Sequence, residues 1–150
     1  MLASFPAMST LSPARPVAAD SLFKALLKFQ RVRQRTVQLC QPLETEDYVM
    51  QPMVDVSPPK WHLAHSTWFF ETFVLQKFAK SYQPFHPEYG HLFNSYYNHL
   101  GDRVLRDERG FMSRPPVRDV LAYREYVDAA VLKLQEEVHE SDHLPLTTLL

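Results

Sequence analysis

The sequence predicts an all-α fold, a helical bundle made of three helices and the start of a fourth. Three observations predict it. Two segments carry apolar residues at helical spacing with charged residues opposite, a third segment is apolar on nearly every side, and no segment alternates as a strand would. At 150 residues, with 45% hydrophobic and 22% charged residues, the chain suits one domain that buries roughly two thirds of its unfolded surface.

The first twenty residues hold three prolines and several small residues but no uninterrupted apolar core, so residues 1–19 read as a flexible leader, not a secretory signal. The helical domain then spans 20–150. Asp20 is a plausible N-cap, and Leu22, Ala25, Leu26, Phe29, Val32 and Leu39 follow at steps mostly of three or four, giving an amphipathic helix that ends by Pro42. A polar connector, Glu44 to Asp55, leads to Ser57-Pro58-Pro59, where a Ser cap followed by Pro in the first turn starts a second helix running to about Lys77. Its apolar residues cover nearly all sides, which calls for neighbours all round. Ser81 to Pro116 is rich in Pro, Gly, Asn and Tyr with no sustained period, a long connection of the kind that often carries function. From Pro116 to Glu140, Val117, Val120, Leu121, Val127, Val131, Leu134 and Val138 form one stripe, the clearest helix of the chain. After Ser141-Asp142, HLPLTTLL begins a fourth. With one covering helix barely begun, the bundle reads as incomplete.

Sixteen basic and seventeen acidic residues leave a formal net charge of -1, which gives no support to a nucleic-acid partner or an anionic membrane surface. Charged residues break every apolar run well short of the ~20 residues a membrane span needs. The lone Cys40 has no disulfide partner and reads as a small buried thiol, which fits a reducing cytoplasm. There is no CxxC, no glycine-rich phosphate loop, no nucleophile elbow and no HExxH.

His62 and His65, three apart on an otherwise apolar helix, are candidate metal ligands, because neutral imidazole is the commonest protein ligand for transition metals; the bland alternative is a core histidine bonded to a carbonyl or carboxylate. Glu71, a carboxylate within an aromatic run, must either point outwards or bond a neighbouring helix or loop. In the long connection, Arg103, Arg106, Arg109 and Arg114 lie near Asn94-Ser95-Tyr96-Tyr97-Asn98. Arginines suit the carboxylates of an amino-acid substrate. A solvated loop, with Asp102, Asp107 and Glu108 as exposed partners, is the alternative. His86, His91, His99, His139 and His143 show no ligand spacing.

The run from Asp55 through Trp61-His-Leu-Ala-His65-Ser-Thr-Trp-Phe-Phe-Glu71 to Leu75 closely resembles the N-terminal domain of the EgtB-type ergothioneine-biosynthesis sulfoxide synthases. The resemblance continues through Tyr82-Gln-Pro-Phe, Leu92-Phe-Asn-Ser-Tyr-Tyr97, Arg109-Gly-Phe-Met-Ser-Arg-Pro115 and Val120-Leu-Ala-Tyr-Arg124. It implies a DinB-like up-down four-helix bundle, here incomplete, joined in the family to a second domain similar to the formylglycine-generating enzyme. It also implies one non-haem Fe(II) held by three histidines, which uses O2 to link hercynine to the thiol of cysteine or γ-glutamylcysteine. By motif match His65 is the first iron ligand, His62 supports it or is structural, and Arg106 and Arg109 contact the sulfur substrate's carboxylates. The other two ligands sit in a His-Glu-x-x-His motif that these residues lack, so no catalytic residue is assigned. The chain alone is then expected to be inactive and not to hold iron stably, its partner being the missing C-terminal part or a second subunit. The alternative is a non-catalytic DinB-like binding module that completes its bundle as a homodimer.

Overall fold

The computed structural model describes residues 17–95 and 104–150. Most of the expected leader, together with Tyr96, Tyr97, Asn98, His99, Asp102 and Arg103, lies outside the described residues. Among the described residues every regular element is helical, and no helix is long and apolar enough to cross a membrane.

Helix α1 spans Val17–Cys40. It starts three residues before the expected cap, so Asp20 lies in its first turn, where it pairs with Lys24 one turn on at 2.6 Å. Leu22, Leu26 and Phe29 form its buried stripe. Cys40 ends the helix half-buried rather than buried, and its carbonyl accepts a hydrogen bond from the Tyr48 hydroxyl at 3.1 Å. A 3-10 helix, Thr45–Val49, then interrupts the expected connector.

The second long helix begins as α2, Pro59–Phe70, passes through a π turn at Glu71–Leu75, and closes with one α turn, α3, at Gln76–Phe78. The cap position belongs to Pro58, with no side-chain cap bond. Ser57 lies one residue before the cap, since the first helical bond runs from the His62 N–H to the Pro58 carbonyl, and its hydroxyl accepts from Arg109. Trp61, Leu63, Ala64, Trp68, Val74 and Leu75 are buried, as a helix apolar on nearly all sides requires. Helix α4, Tyr89–Leu92, is one turn within the long connection, and a 3-10 helix, Arg106–Phe111, precedes α5 at Val117–Glu137. The α5 stripe is the expected one, with Val120, Val127, Val131 and Leu134 fully buried. Helix α6, His143–Leu149, sets Leu146 into the core and packs on α1.

The core is not purely apolar. Between α1, α2 and α5 the buried Arg33 donates to Asp128 Oδ1 and Thr67 Oγ1, both at 2.7 Å, and to Ser66 Oγ at 3.2 Å. Arg124, also buried, donates to the Arg33 carbonyl at 3.1 Å and to Ser66 Oγ at 3.2 Å. Burial, with Arg124's like charge beside it, lowers Arg33 to about 10, and burial raises the Asp128 carboxyl despite both arginines. Desolvation thus opposes the charged form of both partners, while their hydrogen bonds tie α1, α2 and α5 together. Arg33→Met should cost roughly 3 kcal/mol in urea unfolding, because it strands the Asp128 carboxylate, and adding Asp128→Leu should recover part of that loss. Equal stability of the single and double variants would contradict the coupling.

Candidate functional site

His65 lies on α2 between two tryptophans one turn away on either side, and its imidazole stacks on both. The ring centroids are 4.4 Å from Trp61 and 5.5 Å from Trp68, with interplanar angles of 15° and 18°. The spacing alone brings these rings to one face of the helix. Nδ1 lies 2.7 Å from the Phe93 carbonyl oxygen. A carbonyl can only accept, so Nδ1 carries the proton and Nε2 keeps a lone pair. Burial holds this imidazole below its ordinary 6.5, with the charge of Arg109 adding to the effect, so it is neutral at pH 7. The bland reading of His65, a carbonyl-bonded histidine, and the ligand reading therefore describe the two nitrogens of one ring.

Arg109 is buried in the wall beside it. Its guanidinium carbon sits 3.5 Å from the centroid of the Trp61 ring, Nη1 donates to Ser57 Oγ at 2.8 Å, and Nη2 donates to Ser95 Oγ at 3.3 Å. Arginine suits this place because its planar, weakly hydrated cation stacks on an indole. Arg109, Trp61, His65 and Trp68 thus form one chain of ring contacts. A solvated loop would not bury an arginine to 4% exposure. Arg106 is exposed and its Nη1 lies 3.4 Å from the Asp55 carbonyl.

These residues surround one cavity of about 380 Å³, lined by Asp55, Val56, Ser57, Trp61, His62, His65, Ser95, Arg106 and Arg109. The three residues singled out from the sequence, His65, Arg106 and Arg109, meet there. His62 reaches the same cavity from an exposed position. Arg114 is not among the lining residues. Among the described residues, no group of three or more His, Cys, Asp or Glu side chains is gathered to hold a metal ion.

Several contributors had no signal in the sequence. Gln51, in the connector, donates to the carbonyls of Val56 and Arg106 at 2.8 and 2.6 Å and accepts from the Gly110 N–H at 2.6 Å. It thereby fastens the Arg106–Phe111 helix over the entrance to α2. Glycine is needed at 110, where a Cβ would come within 2.8 Å of the Gln51 Oε1. Lys60 is buried in the first turn of α2 and donates to the Met112 carbonyl at 2.6 Å. Its position beside Trp61 gave no hint, since lysine is ordinarily a surface residue.

The helical arrangement has a counterpart among known families: the DinB superfamily pattern matches residues 28–148. The chain belongs to the DinB superfamily. The match runs from within α1 to α6, so the DinB bundle accounts for all the helices that frame the cavity. No curated protein matches the chain. Membership fixes the scaffold, while the reaction must be argued from the residues of the site.

The lowered imidazole of His65 gives a pH dependence with a definite sign. Below 6.5 the unfolded chain binds a proton at His65 that the folded chain resists, so stability is full at neutral pH and falls as pH drops through 6.5. Urea midpoints should be lower at pH 5.5 than at pH 7.5, and His65→Gln should shrink the difference. An unchanged pH response in that variant would contradict the burial of His65.

Proposed function

We propose that this DinB chain is the N-terminal portion of a non-haem iron, O2-dependent sulfoxide synthase that forms the C–S bond between hercynine and cysteine or γ-glutamylcysteine in ergothioneine biosynthesis. The observation that carries the proposal is the single cavity in which the imidazole of His65 meets the guanidinium groups of Arg106 and Arg109. The close resemblance of the Asp55 to Leu75 run to that enzyme family supplies the chemistry.

His65 fits an iron ligand well. It is neutral at pH 7, its Nδ1–H is committed to a carbonyl, and the remaining nitrogen is the one left to the cavity that the ring lines. One imidazole is not a site, and in this reading the other donors are supplied by a further segment or a partner subunit, the chain alone being inactive. When bound, the iron would supply O2 activation and a place for the thiolate.

The chain's own residues do the rest by electrostatics and exclusion. Arg109, fixed on Trp61, holds a positive charge in the cavity wall, and Arg106 presents a second at the exposed rim. Together they draw the carboxylates of the sulfur donor and orient its thiol towards His65. The indoles of Trp61 and Trp68 keep water from the faces of the imidazole.

The test is a titration of the 150-residue chain with γ-glutamylcysteine, followed by amide and side-chain NMR. Shifts should centre on Ser57, Trp61, Ser95 and Arg106, and Arg106→Ala should weaken binding on the order of tenfold, the worth of one charged hydrogen bond. Binding that is unchanged in Arg106→Ala, or that maps to another face, would sink the proposal.

A further inference from the structure

Glu71 is buried to 2% exposure six residues after His65 on the same helix, and a carboxylate there must be satisfied by its surroundings. Three donors meet it. Oε1 accepts from the Tyr82 hydroxyl at 2.7 Å and from the Phe85 backbone N–H at 3.0 Å, and Oε2 accepts from the Tyr123 hydroxyl at 2.6 Å. The first two fasten the start of the long connection, and the third fastens a fully buried tyrosine of α5.

The connection's next turn rests on that tyrosine. Tyr89 and Phe93 pack on the Tyr123 ring at centroid distances of 4.9 and 6.5 Å, and on each other at 5.1 Å. Phe93 is fully buried, and its carbonyl is the one that accepts from His65 Nδ1. The contacts close a circuit from His65 through Phe93, Tyr123 and Glu71 back to the same helix. The circuit returns at the π turn, where the Gln76 N–H reaches the Glu71 carbonyl. Such turns recur at functional positions.

We infer that Glu71 is a positioning residue for His65: by anchoring Tyr123 and the 82–85 segment, it fixes the Phe93 carbonyl that selects the Nδ1–H tautomer. An imidazole without such a constraint favours its proton on Nε2, which would turn a donor, not a lone pair, towards the cavity. The importance of that tautomer rests on the proposed function, whereas the circuit itself does not. A buried carboxylate suits the task because it accepts from three donors at once and donates to none. An amide in its place can keep Tyr82 and Phe85 but must turn an N–H2 towards Tyr123.

The experiment is long-range 1H–15N correlation of the histidine side chains at pH 7.5 in the metal-free chain. His65 of the wild type should show Nδ1 protonated. His139, whose Nδ1 accepts from the Ser141 N–H at 3.4 Å, serves as the internal reference. Tyr123→Phe keeps the ring packing and removes only the bond to Glu71, so it is the decisive variant should Glu71→Ala fail to fold. In both, the His65 tautomer ratio should move towards Nε2–H on the order of tenfold, about the net worth of one hydrogen bond. Glu71→Gln should move it less, and His139 should not change. Val131→Ala, which destabilises the core outside the circuit, should leave His65 as in the wild type. The inference is overturned if folded Tyr123→Phe retains the wild-type tautomer, if Val131→Ala shifts it equally, or if wild-type His65 carries its proton on Nε2. A chain that shows the expected tautomers yet binds no sulfur donor would overturn the proposed function and leave this inference standing.

Discussion

A helix buried on almost every side cannot leave its polar groups to water, and this constraint on the Pro59 to Phe78 helix organises the rest of the molecule. Lys60, His65, Thr67 and Glu71 all lie on it, and each draws a different neighbour inward: the Met112 carbonyl, the Phe93 carbonyl, Arg33 of α1, and Tyr82 with Tyr123. The polar residues of one helix thus decide where both ends of the long connection lie. The cavity beside His65 follows from that placement, since Ser95 and Arg109 belong to the same connection.

The electrostatics of the cavity favour division of labour among neighbouring groups. A stacked, buried arginine places a positive charge in the wall, and that charge helps to keep both nearby imidazoles neutral. The arginine network on the opposite side of α2 obeys other rules. Arg33 and Arg124 are tied to protein oxygens and fix how α1 and α5 meet the central helix.

The fold was largely legible in the sequence. The α5 stripe appears as read because periodicity alone decides a helix with one wet face, and the apolar helix told its own burial. That helix starts one residue later than the Ser57 cap read from the sequence, at Pro58, because helix ends are weakly encoded. The start of α1 differs for the same reason. In the site, His65, Arg106 and Arg109 were reachable through motif resemblance. Spacing alone did not separate His65 from His62, since the distinction depends on Phe93, distant in sequence. For Glu71 the sequence left two options, and the structure takes the inward one, because the two tyrosines that satisfy it come from a loop and from α5. Gln51 and Lys60 were invisible because a single polar residue in a connector, or a lysine at a helix start, carries no pattern.

The central claim is that His65 presents an unprotonated nitrogen to a cavity that takes part in holding a metal. Adding Co(II) to the chain and following the histidine side chains by NMR tests it most directly. The account predicts weak binding, as one imidazole beside two arginines allows, with paramagnetic shifts centred on His65 and lost in His65→Ala. Shifts centred on another histidine, or shifts that persist without His65, would contradict it.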